Sequence, residues 1–103
     1  MEKITNLKYL QPGEAVKFEY KGEKAILVRT TEEQLAAYVA ICPHEHEGVE
    51  WDKELHKLLC ECHMSLFNVD DGTVYKHSSI FDHIDNLTPI DVEVDDDQNV
   101  YAV

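Results

Sequence analysis

The sequence predicts an all-β domain. Valine, isoleucine, tyrosine and phenylalanine, which favour strands, are well represented, and no segment keeps a helical spacing of apolar residues over several turns. Several short segments instead alternate apolar and polar residues, which is the pattern of a half-buried strand. A chain of 103 residues is also the size of one domain with one modest core. We therefore expect residues 1–103 to fold as a single domain.

The first part of the chain predicts three strands. Strict alternation in the first places Val16, Phe18 and Tyr20 on one face. The second is apolar throughout, which indicates a more deeply buried partner strand. The predicted strands are residues 15–20, 25–28 and 36–41, with a turn at residues 21–23 and a loop at residues 31–34.

The second part predicts short strands joined by tight turns. Val49 and Trp51 are expected to be packing residues, and an Asp71-Gly72 pair is typical of a hairpin turn. Residues 76–88 are polar and weakly periodic, which predicts irregular structure. The predicted strands are residues 57–59, 65–69, 73–75, 90–94 and 100–103, with turns at 70–72 and 95–99.

The strongest chemical signal lies in residues 42–63. Cys42 and His44 form a Cys-x-His pair, and after fifteen residues Cys60 and His63 form a Cys-x-x-His pair. A zinc site usually places its two cysteines together and its two histidines together, because all four converge on one ion. The alternation seen here suits a two-iron cluster in which the cysteines hold one iron and the histidines hold the other. A structural zinc site and residues that bind no metal remain the alternatives.

This motif resembles the signature of Rieske iron-sulfur proteins, in their soluble ferredoxin branch. The resemblance implies an antiparallel β-sandwich base domain formed by residues 1–40 and 76–103. A small cluster-binding subdomain of about residues 41–75 would be inserted in it. The resemblance also implies one [2Fe-2S] cluster, whose ligands would be Cys42, His44, Cys60 and His63.

Residues near the motif imply a low reduction potential. High-potential relatives join the two ligand loops by a disulfide, but here Glu47 stands at one of the two positions and leaves Cys62 without a partner. Ser65 matches a serine whose hydroxyl stabilises the reduced cluster, whereas Phe67 stands where those relatives have a tyrosine. We expect a potential in the lower half of the window of about −150 to +300 mV that histidine ligation allows.

Met64 departs from the glycine that many Rieske proteins have directly after the last histidine. A large apolar residue at this position, followed by a pair such as Phe67-Asn68, resembles the ferredoxins of toluene monooxygenase systems. The resemblance therefore points to the ferredoxin components of oxygenases.

The net charge of −12 excludes several classes of partner. Residues 51–103 carry twelve acids against three bases, and such a chain is repelled by nucleic acids and anionic membranes. The acidity has two interpretations: it keeps a small protein soluble, or it forms a docking face for a basic redox partner. The N-terminus has no apolar stretch typical of a secretion signal, and no run approaches the roughly 18 apolar residues that span a bilayer. With an odd number of cysteines, two of them in the motif, we expect a reducing, cytoplasmic location.

These observations predict a monomeric one-electron carrier rather than an enzyme. The sequence ends forty residues after His63, which leaves no room for the mononuclear-iron catalytic domain of a ring-hydroxylating dioxygenase. The resemblance implies that a flavoprotein reductase donates the electron and that an oxygenase or similar acceptor receives it. Two alternatives are the small subunit of an assimilatory nitrite reductase and a zinc-stabilised interaction domain.

Overall fold

The structure is a computed structural model that describes residues 2–40, 49–60, 65–76 and 86–103. This part of the chain is built from ten strands and one 3₁₀ turn, Leu7–Tyr9. The strands are β1 (Glu2–Asn6), β2 (Ala15–Tyr20), β3 (Glu23–Arg29), β4 (Leu35–Val39), β5 (Val49–Asp52), β6 (Lys57–Cys60), β7 (Ser65–Asn68), β8 (Val74–Lys76), β9 (Val92–Val94) and β10 (Asn99–Ala102). The predicted all-β class is confirmed.

The strands form three antiparallel sheets. Their strand orders are β1-β10-β9, β2-β3-β4 and β5-β6-β7-β8. The last of these, which we call the ligand sheet, contains Cys60 at the end of β6. The first two sheets together contain the strands from both ends of the chain.

Strand β3 is the centre of the molecule because both of its faces are buried. Its Ile26 and Val28 side chains pack in one apolar core with residues of the ligand sheet. Ala25 and Leu27 point the other way and pack in a second core with Val100 of β10. A run of four apolar residues is what a strand covered on both faces requires, so the expectation of a deeply buried strand is confirmed.

Residues 86–90 connect the ligand sheet to β4. The Leu87 N–H donates to the Gly72 carbonyl at 2.9 Å in the β7–β8 turn. Next, the Val39 N–H donates to the Thr88 carbonyl at 2.9 Å, and the Ile90 N–H donates to Ala37 at 2.8 Å. This short segment therefore holds the two sheets in a fixed relative position.

Two strands were absent from the sequence prediction. Strand β1 lacks alternation and has a bulge between Lys3 and Thr5, so only its pairing with β10 defines it. Strand β5 is four residues long, too short for a clear period-2 signal. The expected packing residues Val49 and Trp51 lie on β5 and do pack in the core with β6.

Other strand boundaries differ from the prediction by one or two residues. The third predicted strand, residues 36–41, is observed as Leu35–Val39, and the last as Asn99–Ala102. Tertiary hydrogen bonding decides such ends, which side-chain patterning marks poorly. Part of the predicted irregular stretch 76–88, residues 77–85, lies outside the described residues, as does Ile41.

Candidate metal centre

The two segments that carry the predicted ligands are rooted side by side. Val49 begins β5, Cys60 ends β6 and Ser65 begins β7, and these three residues face one another across neighbouring strands. The Val49 N–H also donates to the Ala40 carbonyl at 3.0 Å, so the two residues on either side of 41–48 are neighbours in space. The described residues that flank 41–48 and 61–64 therefore lie at the same end of the ligand sheet.

Cys60 is the predicted ligand that the structure describes. It is 0 % exposed at the end of β6, forms no disulfide, and packs in the apolar core with Leu58 and Phe67. Its pairing with Val49 and Ser65 places it where the two ligand segments begin. The other three predicted ligands, Cys42, His44 and His63, lie outside the described residues. So do Glu47, Cys62 and Met64, the other positions discussed in the sequence analysis.

The Ser65 hydroxyl provides a test of whether this end of the sheet suits a metal cluster. Ser65 is 0 % exposed, and its Oγ has no hydrogen-bond partner among the described residues. A buried hydroxyl without a partner costs about 1–3 kcal/mol, so such groups normally have one. Beside the buried Cys60 thiol, an acceptor such as a cluster sulfide would satisfy it, and the chemistry of these residues therefore fits the group.

Strand β8 brings a third segment to the same end of the sheet. Lys76, its last residue, pairs with Leu66, the neighbour of Ser65. The return of the chain is fixed by Asn86, whose Oδ1 accepts a 3.0 Å hydrogen bond from the Val74 N–H. Residues 77–85, which include His77 and His83, begin at this end of the sheet and lie outside the described residues.

Tyr38 joins β4 to the turn between β7 and β8. Its ring is buried, and its hydroxyl donates to the Val69 carbonyl at 2.7 Å. Burial, together with the negative charges of Asp71 and Asp70, raises the pKa of Tyr38 to about 12. The same ring lies so close to Gly72 that a Cβ there would be 2.6 Å from Cε1. The Tyr38 hydroxyl therefore stabilises this turn, and the Tyr38 ring leaves no room for a side chain at position 72.

Two contacts fix strand β5, which lies at one edge of the ligand sheet. The Trp51 Nε1–H donates to the Gly13 carbonyl at 2.9 Å, and Lys17 forms a 2.5 Å ion pair with Glu50. The exposed His56 ring contacts the Trp51 ring edge-on, with the ring centroids 5.1 Å apart. No local pattern in the sequence indicates these contacts, because each joins residues that are more than thirty positions apart or that lie in a turn.

The acidic turn after β9 is stabilised by its own hydrogen bonds. Asp95 accepts bonds from the Asn99 and Asp97 N–H groups and from the Tyr101 hydroxyl. The Asn99 backbone bond is the main cause that lowers the pKa of Asp95 from its ordinary value of 3.8. These contacts agree with the turn predicted at residues 95–99.

Comparisons with known proteins agree with this fold. A sequence family described as the Rieske [2Fe-2S] domain matches residues 2–82. No curated protein sequence matches. None of the described segments forms a helix long and apolar enough to cross a membrane.

Solved structures of similar fold include three small Rieske proteins. The plasma membrane Rieske protein PetC3 of the cyanobacterium Synechocystis PCC 6803 has a TM-score of 0.84 at 21% identity and covers 100% of this chain and 99% of its own. The ferredoxin of carbazole 1,9a-dioxygenase from Nocardioides aromaticivorans IC177 has a TM-score of 0.75 at 20% identity, covering 99% and 97%. A structure described as a complex of reduced oxygenase and oxidised ferredoxin in carbazole 1,9a-dioxygenase gives 0.76 at 23% identity, covering 98% and 99%.

The fold and the site define an all-β domain in which the residues that flank the two segments with predicted ligands meet at one end of a four-stranded sheet. The chain belongs to the Rieske [2Fe-2S] domain family. Its cofactor is accordingly a [2Fe-2S] cluster held by two cysteines and two histidines.

Proposed function

We propose that Cys42, His44, Cys60 and His63 hold the cluster and that the protein is a one-electron carrier. The observation that carries the proposal is the direct pairing of Val49, Cys60 and Ser65, which roots both ligand segments at one point. Cys60 would bind the same iron as Cys42, and His44 and His63 would bind the other. The family match supports the ligand set because Rieske clusters use two residues of each type.

A carrier role follows from the number of ligands. With two of these four residues on each iron, the cluster would have no open position for a substrate, whereas a catalytic metal keeps one. When bound, the cluster supplies a one-electron couple. The chain then has to hold that cluster rigidly and exclude water from its inner side, which the buried residues around Cys60 do.

Ser65 and Phe67 would set the potential of the couple. A Ser65 hydroxyl that donates toward the cluster favours the reduced form, because reduction adds a negative charge. Phe67 is 0 % exposed and offers no hydroxyl, so one donor of this kind is available instead of two. We therefore keep the expectation of a potential in the lower half of the Rieske window, and a value well above about +150 mV would contradict it.

We further propose that the carrier works in the cytoplasm as a monomer, between a flavoprotein reductase and an oxygenase or similar acceptor. Support comes from the similarity in fold to the ferredoxin of a carbazole 1,9a-dioxygenase and to a chain in a second structure, described as a complex of reduced oxygenase and oxidised ferredoxin. Cysteine ligation without a disulfide framework agrees with a reducing compartment.

Metal and sulfide analysis of the purified protein tests the proposal. We expect a reddish-brown protein with two irons and two acid-labile sulfides, and on reduction the EPR signal of a cluster with mixed nitrogen and sulfur ligands. A colourless protein that contains zinc would instead support the interaction-domain alternative.

Cys60→Ser and Cys62→Ser form a matched pair for the ligand assignment. Both changes remove one thiol from the same segment, but only Cys60 is proposed to bind iron. We expect Cys60→Ser to lose the cluster or to alter its spectrum strongly, and Cys62→Ser to keep the iron content and the EPR signal of the wild type. Equal behaviour of the two variants would contradict the assignment.

A further inference from the structure

The second pair of proposed ligands is attached to one sheet. Its segment, residues 61–64, is flanked by Cys60 and Ser65, which are paired neighbours on β6 and β7. The same two strands continue away from this end through three further residue pairs. Both ends of the segment are therefore fixed within the ligand sheet.

The first pair of proposed ligands is attached to two sheets. Its segment, residues 41–48, is flanked by Ala40 and Val49. The Ala40 N–H donates to the Lys24 carbonyl of β3 at 2.8 Å, so this end is held by the sheet of β2, β3 and β4, which we call the base sheet. Val49 is the first residue of β5 and is held by the ligand sheet. The position of the first ligand pair relative to the second therefore depends on how the two sheets are joined.

Strand β5 joins the ligand sheet to the base sheet at two points. The first is the 3.0 Å hydrogen bond from the Val49 N–H to the Ala40 carbonyl. One bond fixes a point of contact but leaves the angle between the sheets open. Trp51 lies two residues, about 7 Å, further along β5 and on the same face as Val49. Its Nε1–H donates to the Gly13 carbonyl at 2.9 Å, and this second point fixes the angle.

Both ends of the Trp51 hydrogen bond are held firmly. The Gly13 N–H donates to the Arg29 carbonyl at 2.6 Å, and the Arg29 N–H donates to the Glu14 carbonyl at 2.9 Å, so the turn is fixed to the end of β3. The Trp51 ring is partly buried against the core that contains Leu58, its partner across β5 and β6. The bond therefore connects two rigid parts of the molecule.

The other contacts between the two sheets are weaker or lie elsewhere. The ion pair of Lys17 and Glu50 also reaches β5, but its side chains are 62% and 43% exposed, and solvent screens such a pair. Tyr38 and residues 86–90 join the sheets on the side of β7 and β8. Among the described residues, Trp51 therefore makes the main side-chain link on the side of β5.

We propose that Trp51 is a positioning residue for the metal centre. By holding β5 to the Gly13 turn, its indole N–H sets the spacing between the two pairs of proposed ligands. The ligands of a metal site have to be held within about 0.5 Å of their working positions. Loss of the bond lets the two pairs separate more often, and each such opening exposes the cluster to solvent and chelators. This inference rests on the proposed ligand set.

Iron release from the oxidised, cluster-loaded protein to excess EDTA tests this role. Trp51→Phe removes the N–H donor and keeps an aromatic ring. Its control is Tyr20→Phe, because the Tyr20 hydroxyl donates to the Val103 carbonyl at 3.2 Å and so also links an aromatic side chain to a distant carbonyl, but outside the ligand sheet. The loss of visible absorbance gives the rate, at a temperature where circular dichroism shows both variants folded.

The two variants should differ in both iron release and spectrum. We expect Trp51→Phe to release iron about five- to tenfold faster than the wild type, the factor by which loss of one such hydrogen bond favours local opening, and Tyr20→Phe less than about twofold faster. The EPR lines of reduced Trp51→Phe should be broader, because the ligand geometry varies more. Equal release rates for the two variants, or an EPR signal of Trp51→Phe identical to that of the wild type, would overturn the positioning role.

An isosteric replacement tests the hydrogen bond without a change in packing. The chain contains one tryptophan, so β-(3-benzothienyl)alanine, in which sulfur replaces the indole N–H, can be incorporated at this position alone. We expect the same faster iron release, and a rate equal to that of the wild type would overturn the proposal even if Trp51→Phe fails to fold. A wild-type protein without iron would refute the ligand set itself, whereas failure of this inference alone is seen only in the altered proteins.

Discussion

Ser65 and Cys60 face each other across β6 and β7, and both are sealed from solvent. If the Ser65 hydroxyl donates toward the cluster, Ser65→Ala removes an interaction that is stronger in the reduced state. If this hydrogen bond stabilises the reduced state by about 1–2 kcal/mol, the reduction potential of the one-electron couple should fall by about 40–90 mV. Thr73→Val is the control, because the Thr73 hydroxyl is bonded to Asp71 in the same hairpin. A square-wave voltammogram that shows equal potentials for Ser65→Ala and the wild type would remove the donor role.

Tyr38 gives a prediction for alkaline pH. Its pKa is raised to about 12 from 10.0, so above pH 10 the unfolded chain loses this proton while the folded protein keeps it. The contribution of this proton to the free energy of unfolding is fully present below about pH 10. It is lost as the pH rises toward about 12, which lowers the free energy of unfolding by about 2–3 kcal/mol.

Tyr38→Phe removes both this titration and the bond to the Val69 carbonyl. We expect the variant to be about 1 kcal/mol less stable than the wild type near neutral pH, and the difference to shrink or reverse above about pH 11. Urea unfolding at a series of pH values measures both. A constant difference between the two proteins across that range would show that Tyr38 does not titrate as its burial requires.

At the scale of elements, the β7–β8 hairpin depends on Gly72. This residue has φ of 76°, and an added Cβ would meet the Tyr38 ring at 2.6 Å and the Leu87 carbonyl at 3.3 Å. Gly72→Ala combines left-handed strain with overlap in the core, and we expect a loss of about 2–4 kcal/mol in the free energy of unfolding.

Gly22→Ala is the control for the hairpin prediction. Gly22 has nearly the same backbone conformation, with φ of 82°, but nothing lies within 4 Å of an added Cβ. We expect it to cost only about 1 kcal/mol, which isolates the packing contribution at Gly72. Equal denaturation midpoints for the two variants would mean that the contact with Tyr38 relaxes without cost.

At the scale of the whole molecule, we expect the bound cluster to stabilise mainly the ligand sheet and the two apolar cores to stabilise the other two sheets. The three sheets pack through two apolar cores, and among the residues that the structure describes these cores contain one proposed ligand, Cys60. Removal of the cluster by acid and chelator should therefore leave the base strands folded while the ligand sheet is weakened.

Hydrogen exchange measures this division. We expect amide protection in β3, β4 and β10 to survive cluster removal, and protection in β5 to β8 to fall. Reconstitution with iron and sulfide provides the control, since it should restore protection in β5 to β8. A loss of protection that is uniform across all three sheets would contradict the division.

Much of the fold could be predicted because local patterning marks it. The alternation of β2, the apolar run of β3 and the Asp71-Gly72 turn each reflect a local requirement on side chains or backbone. Strands β1 and β5 could not be predicted in the same way, because β1 has an irregular register and β5 is short. Their hydrogen-bond partners, distant in sequence or across a turn, define them.

The sequence by itself determined the chemistry of this protein: two cysteines and two histidines at the Rieske spacing, the all-β class and the acidic surface. Ligand identity is readable because a metal selects donor atoms, and donor atoms are properties of single residues. The tertiary structure alone decided that Val49, Cys60 and Ser65 share one sheet end, that the Ser65 hydroxyl has no partner in the described part of the chain, and that Tyr38 closes against Gly72. These facts depend on strand register, and register is set by the packing of whole sheets.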